Sequence, residues 1–230
     1  MIDTILFDLD DTLYASGSGV MEQIRARILT YIETRLHLPT ADAEALQRRY
    51  FLDYGTSMRG LQLNHAIDAD EYLHYVHDIP LHHYLVNSPA LDAALASLPH
   101  DKVVFTNASR QHAERVLDCL GVRARFSKIV DVRDMAYEGK PQPSAYRHIC
   151  RLLDVRPESC LLVEDNVRNI QPAKALGMTT VLIHDGKVQA EDSVDYAIRR
   201  IEDIVDVLAR LRPWPITGSA QSKARTGRQT

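Results

Sequence analysis

Thr4-Ile5-Leu6-Phe7 runs directly into Asp8-Leu9-Asp10-Asp11-Thr12, and this juncture constrains the fold more than any other stretch. The first four residues are apolar, aromatic or β-branched and lack a helical period, so they predict a short buried strand. A strand ending in Asp-x-Asp leaves its sheet at the carboxyl edge, where open α/β folds bind ligands. Asp8 and Asp10 repel each other when both are ionised and close together. A divalent cation relieves that repulsion. One carboxylate can then attack an electrophile while the other manages a proton. The competing reading is a plain strand followed by an Asp-rich turn, with Thr12 helping to cap the next segment.

Four further apolar runs also end in polar residues. Lys102-Val103-Val104-Phe105 meets Thr106-Asn107-Ala108-Ser109, and Lys128-Ile129-Val130 meets Asp131. Cys160-Leu161-Leu162-Val163 meets Glu164-Asp165-Asn166, and Thr179 to Ile183 meets His184-Asp185-Gly186. Helical patterns separate most of them, over Gln111–Leu120, Pro143–Leu153 and Asn169–Leu176, with Gly121 and Gly177 where helix C-terminal stops belong. Strands alternating with helices predict an α/β fold, a parallel sheet covered on both faces. In that architecture the strand ends meet on one edge, so residues far apart in sequence share one pocket.

The chemistry of those strand ends is coherent. Thr106 supplies a hydroxyl, Asn107 an amide, and the helix starting near Ser109 presents backbone N–H groups to an anion. Lys140, set between Gly139 and Pro141, is a point charge suited to a transferring phosphate. Glu164-Asp165 forms a second acidic pair for a hard, oxygen-ligated cation. Taken singly, each has an ordinary reading as a helix cap or a solvated loop lysine. Four such pieces at four places argue together for a metal-phosphate site.

On these residues the sequence resembles the haloacid dehalogenase superfamily of phosphohydrolases. Asp8-Leu9-Asp10-Asp11-Thr12 matches its first motif, Thr106-Asn107 its second, Lys140-Pro141 its third and Glu164-Asp165 its fourth, over a core from about Ile2 to Leu211. The resemblance implies a Rossmann-like, doubly wound parallel sheet. It also implies that Asp8 is the nucleophile and that Asp10 is the general acid/base, also offering its backbone carbonyl to Mg²⁺. Thr106, Asn107 and Lys140 would hold the phosphate, and Asp165 would complete the metal site with Asp8 and Asp10. Glu164 would stand just behind the metal or reach it through water. Many relatives carry a further Asp four residues after the one matched by Asp165. This chain has Asn169 there, which is not expected to ligate the metal. Dehalogenases of the superfamily lack an acid at the place of Asp10, so its presence favours phosphoryl chemistry.

The interval from Met21 to Pro99 is too long for a simple crossover and contains helical patterns over Gln23–Leu36, Ala41–Tyr54 and Asp70–Val76. We expect a helical cap inserted after the first strand, excluding water from the charged edge. The expected division is a core of residues 1–16 and 90–212, a cap of 17–89 and a disordered tail of 213–230, with Trp214 pinning the tail's start. Hinges are expected near Ala15 to Gly19 and near Asn87-Ser88-Pro89.

Within the superfamily, Asp11-Thr12-Leu13-Tyr14, Tyr54 to Leu61, and Glu164 to Ile170 resemble the pyrimidine 5′-nucleotidase branch. That implies UMP or CMP as substrate. Tyr14 would line the site's mouth and stack on the base, and Arg59 would reach the phosphate or a base carbonyl. The alternative is a phosphatase or phosphomutase acting on a small sugar phosphate or another phosphometabolite.

The histidines complete no zinc spacing, although His74 and His77 share a helical face and His82-His83 are adjacent. His112, in the first turn after Ser109, reads as a solvated helix-start residue. A net charge of −4 and a pI near 6.2 carry no nucleic-acid signature. The expected partner is therefore a small phosphorylated metabolite, not a polymer or a membrane, and the chain is expected to be a monomer or homodimer. Three cysteines without a CxxC spacing suit a reducing cytoplasm. Met1 opens onto the first strand without a signal peptide, and no apolar run is long enough to span a membrane.

Overall fold

A computed structural model of the chain describes residues 2–184, 186 and 191–211. The expected tail, Trp214 included, lies outside the described residues. Six parallel strands form one sheet: β1 (Thr4–Phe7), β2 (Asp101–Phe105), β3 (Lys128–Val130), β4 (Cys160–Glu164), β5 (Thr179–Ile183) and β6 (Tyr196–Ile198). Their spatial order is β3-β2-β1-β4-β5-β6. The chain therefore winds outward one way from β1 to β3 and the other way from β4 to β6. The switch falls between β1 and β4, the crevice where such sheets bind ligands.

Alternate strand residues face opposite sides of the sheet, and both sides are buried. Ile5, Phe7, Val104, Leu161 and Val163 pack with α5 (Pro89–Ser97), α6 (Arg110–Leu120) and α9 (Ile204–Leu211). Leu6, Val103, Phe105 and Leu162 pack with α7 (Pro143–Leu153) and α8 (Val167–Ala175). Burial on both faces explains why these strands read as apolar runs instead of alternating ones.

Between β1 and β2 lie α1 (Val20–Leu36), α2 (Thr40–Tyr54), α3 (Ser57–His65) and α4 (Ala69–His77). They pack on one another around Tyr31, which meets the Tyr72 ring edge-on at 5.0 Å, and around Tyr50, whose hydroxyl is 2.8 Å from His65 Nε2. Gly60 is required there, because a Cβ would sit 2.3 Å from Tyr50 Cγ. α3, α5, α9 and β6 go beyond the elements expected from sequence. Ser88-Pro89, expected as a hinge, opens α5: Ser88 Oγ accepts the Leu91 N–H at 3.4 Å and proline occupies the first turn. Among the described residues, no helix is long and apolar enough to cross a membrane.

Candidate active site

Strand register assembles the site. Phe7 pairs with Val104 on one side and Val163 on the other, so the next residues, Asp8, Phe105 and Glu164, stand side by side at the carboxyl edge. The Asp8 N–H donates to the Val163 carbonyl at 2.9 Å, extending β1 by one residue and fixing the direction in which the Asp8 side chain leaves.

Lys140 arrives from the loop before α7, is 1 % exposed, and donates from Nζ to Asp8 Oδ1 at 2.6 Å and to Glu164 Oε2 at 2.7 Å. Asn107 holds this loop in place. Its Oδ1 accepts the Lys140 N–H and its Nδ2 donates to the Lys140 carbonyl, each at 2.8 Å. Gly139 permits the approach, since a Cβ there would lie 2.2 Å from Asn107 Oδ1. The Asn107 amide, expected on the phosphate, is thus engaged at both ends by the backbone of the lysine. Buried Thr106 accepts the Ala108 N–H at 3.0 Å through Oγ1, which leaves its hydroxyl hydrogen available to an anion.

Oxygens of Asp8, Glu164 and Asp165 lie within 4.8 Å of one another. Burial and the charge of Glu164 push the Asp8 pKa up to about 7, against the opposing pull of Lys140. Burial likewise pushes Glu164 up to about 7, with Lys140 opposing and Asp165 reinforcing the rise. Asp165, open to the cavity, is raised to about 6 by desolvation and by Asp8. Burial acts to lower the Lys140 pKa, but the Asp8 and Glu164 carboxylates outweigh it and hold the amine as a cation. When all three carboxylates are ionised they exceed the single ammonium by two negative charges. A hard divalent cation with oxygen ligands fits that donor set.

Asp10 turns to other partners. Its Oδ1 accepts from Tyr14 Oη at 2.6 Å and bonds His112 Nε2 at 2.9 Å. Burial alone would raise the Asp10 pKa, but His112 and Tyr14 outweigh it and hold the carboxyl below its usual range. His112 is 1 % exposed, so its reading as a solvated residue is corrected. The signal was present in the spacing, because His112, Val116 and Leu120 recur every fourth residue on the buried stripe of α6. His77, from the end of α4, stacks on His112 at 4.3 Å between centroids and 19° between planes. Burial and the neighbouring His112 push the His77 pKa well below 6.5.

A cavity of about 650 Å³ stands over these groups. Asp8, Asp10, Thr106, Asn107, Lys140 and Asp165 line its base, and α1, α2 and α4 supply Ile24, Arg25, Arg48, Phe51 and Tyr72. The two residues expected to read a nucleobase are placed elsewhere. Tyr14 packs into the core beneath the edge and directs its hydroxyl at Asp10 instead of offering a ring face. Arg59 donates to Gln62 Oε1 at 2.8 Å along α3 and lies outside the cavity lining, whereas its neighbours Thr56, Ser57 and Met58 are within it.

Comparison with known proteins agrees with this architecture. Phosphate metabolism protein 8 of Saccharomyces cerevisiae is 27% identical over 205 residues, 82% of this chain and 64% of the yeast protein, so the chain spans less than two thirds of that relative. Glyceraldehyde 3-phosphate phosphatase of Methanocaldococcus jannaschii is 26% identical over 235 residues, 92% of this chain and 99% of the archaeal one. The crystal structure of a HAD phosphatase from Thermococcus onnurineus superposes with a TM-score of 0.63 at 20% identity, covering 90% of this chain and 98% of that one. The family model for haloacid dehalogenase-like hydrolases matches residues 2–177. On that match, with the sheet order and strand-end site described above, the chain belongs to the haloacid dehalogenase-like hydrolase family.

Proposed function

We propose that this chain is a phosphomonoester hydrolase that works through an aspartyl-phosphate on Asp8 and acts on a small sugar- or triose-phosphate-like metabolite. The observation that carries the reading is the pair of carboxylates in different settings: Asp8 beside Lys140, and Asp10 held apart by His112 and Tyr14. The Lys140 ammonium on Asp8 favours the ionised carboxylate that a nucleophile needs, whereas Asp10 keeps one oxygen clear of its two partners and so is suited to proton transfer.

An Asp8 carboxylate oxygen attacks phosphorus and the phosphorus–ester oxygen bond breaks. The anionic phosphate, once bound, favours protonation of Asp10 by like-charge repulsion, and Asp10 gives that proton to the departing alkoxide. Water then attacks the phosphorus of the aspartyl-phosphate while Asp10 takes its proton, and the bond to Asp8 breaks to release inorganic phosphate. Lys140 and the Thr106 hydroxyl offset the phosphate charge, and Asn107 acts through the Lys140 loop that it holds. Asp8, Asp165 and the Asp10 backbone carbonyl would hold Mg²⁺, which supplies further neutralisation of the phosphate when bound. Residues 17–89 act as a cap, α1 and α2 forming the wall that excludes water from the site.

The small-metabolite reading ranks above the pyrimidine nucleotide reading for a physical reason. Tyr14 and Arg59 were the residues that motivated base recognition, and neither lines the cavity. The archaeal relative's name points the same way. The test is kcat/KM with Mg²⁺ for glyceraldehyde 3-phosphate, glycolate phosphate, glucose 1-phosphate, UMP and CMP. A lead of about 10-fold for UMP or CMP, worth about 1.4 kcal/mol in the transition state, would return the assignment to the nucleotidase branch.

A further inference from the structure

We propose that His112 and Tyr14 are positioning residues that occupy Oδ1 of Asp10 and thereby confine its transferable proton to Oδ2. This inference rests on the assignment of Asp10 as the general acid/base.

The geometry is specific to one atom. Both contacts, Tyr14 Oη at 2.6 Å and His112 Nε2 at 2.9 Å, fall on Oδ1. A carboxylate oxygen only accepts, so Tyr14 and His112 are both donors here, His112 through its Nε2–H. With two donors on Oδ1, a proton added to Asp10 resides on the other oxygen. The carboxyl group can neither flip nor present Oδ1 without breaking two partly buried hydrogen bonds. General acid catalysis depends on holding the donor oxygen within hydrogen-bond reach of the leaving group, and here one of the two oxygens is removed from that competition.

The support behind His112 points to orientation as its task. Its Nδ1 is buried without a hydrogen-bond partner among the described residues, so that end of the ring does not fix its direction. The ring is held instead by the parallel His77 ring, whose Nδ1 lies 3.2 Å from Ser109 Oγ. Arg115 donates to the carbonyls of His77 and Ile79 and so fixes the end of α4 that carries this ring. A second cavity of about 140 Å³ lies behind the pair. Tyr14, by contrast, is set by core packing three residues beyond Asp11, whose φ of 58° turns the chain back over the strand end.

The experiment compares two esters. An alkyl phosphate needs a proton on its leaving oxygen, whereas 4-nitrophenyl phosphate releases a phenol acidic enough to depart as its anion. kcat/KM covers events up to departure of the leaving group, so it isolates the acid role. We expect Tyr14→Phe and His112→Leu to lower kcat/KM for the alkyl ester by about 10- to 100-fold, a part of the range for general acid catalysis. The loss on the nitrophenyl ester should be at least about 10-fold smaller. His112→Gln, which keeps an N–H donor, should recover part of the alkyl-ester activity. Tyr14→Phe keeps the ring and so tests the idea if His112→Leu fails to fold. Asp10→Asn separates the two claims. If it spares the alkyl ester, both the general-acid assignment and this inference fall. If it abolishes alkyl-ester turnover while Tyr14→Phe and folded His112→Leu lose activity equally on both esters, or not at all, only the positioning role is overturned.

Discussion

Lys140 Nζ donates to Asp8 Oδ1 at 2.6 Å across 132 positions of sequence, inside a site where the lysine is 1 % exposed. Because the same ammonium also serves Glu164 at 2.7 Å, its removal strands two buried carboxylates. Breaking a buried ion pair from one side costs about 3–5 kcal/mol. We predict that Lys140→Met lowers unfolding free energy by about that amount in urea titrations and abolishes turnover. Adding Glu164→Gln should recover much of the stability and none of the activity. A double variant as unstable as the single one would contradict the stranded-charge account.

Asp8→Asn is predicted to remove turnover, by about a thousandfold or more, without lowering the melting temperature. The amide nearly preserves shape but is a far weaker nucleophile. Burial already works against the Asp8 charge, raising its pKa to about 7, and Lys140 keeps Glu164 as a partner. Calorimetry and steady-state assays check the two halves separately. Appreciable activity in folded Asp8→Asn protein would exclude the covalent mechanism.

Metal binding and pH are predicted to be coupled. In the metal-free protein Asp8 and Glu164 rise to about 7 and Asp165 to about 6, chiefly through desolvation. The unfolded values are about 3.9 for Asp and 4.3 for Glu. The folded state therefore holds more protons than the unfolded state between these limits. The contribution of these groups is fully present below about pH 4 and is lost as pH rises through about 7. Mg²⁺ binds the ionised forms and relieves that loss, so its thermal stabilisation should be larger near pH 7.5 than near pH 5. Chelator-treated protein, melted at both pH values with and without Mg²⁺, tests this. An equal or larger shift at the acid end would move the metal away from these three carboxylates.

Arg168 and Arg59 are predicted to behave oppositely. Arg168, just after Asp165, donates to the Phe51 and Leu52 carbonyls at 3.2 and 2.7 Å and so joins α8 to the end of α2. Arg168→Ala should raise KM several-fold and speed proteolysis within α2, because a core-to-insert tie is lost. Arg59→Ala should leave kcat/KM within about twofold, as expected for a site outside the cavity. A large loss in Arg59→Ala together with a silent Arg168→Ala would reverse this reading of the cavity wall.

The sequence alone determined β1 to β5, most of the helices between them and the edge on which the chemistry gathers. β1, β3 and β5 end where their apolar runs end, and α7 begins at Pro143 because proline suits a helix's first turn. These are short-range consequences of hydrophobic period and turn chemistry, legible without neighbours. β6 was not legible, since a three-residue strand, Tyr196–Ile198, is defined by pairing with β5. Likewise α5 was hidden behind a Ser-Pro pair that serves equally as hinge or helix start. Only the tertiary structure decided which atoms the functional side chains meet. Asn107 closes on the Lys140 backbone, Tyr14 and His112 converge on one oxygen of Asp10, and Arg59 turns along its own helix. Spacing places a residue on a face of a helix or at the end of a strand. The partner it finds there depends on how elements distant in sequence pack, and that packing left Oδ1 of Asp10 doubly occupied and removed Tyr14 from the cavity wall.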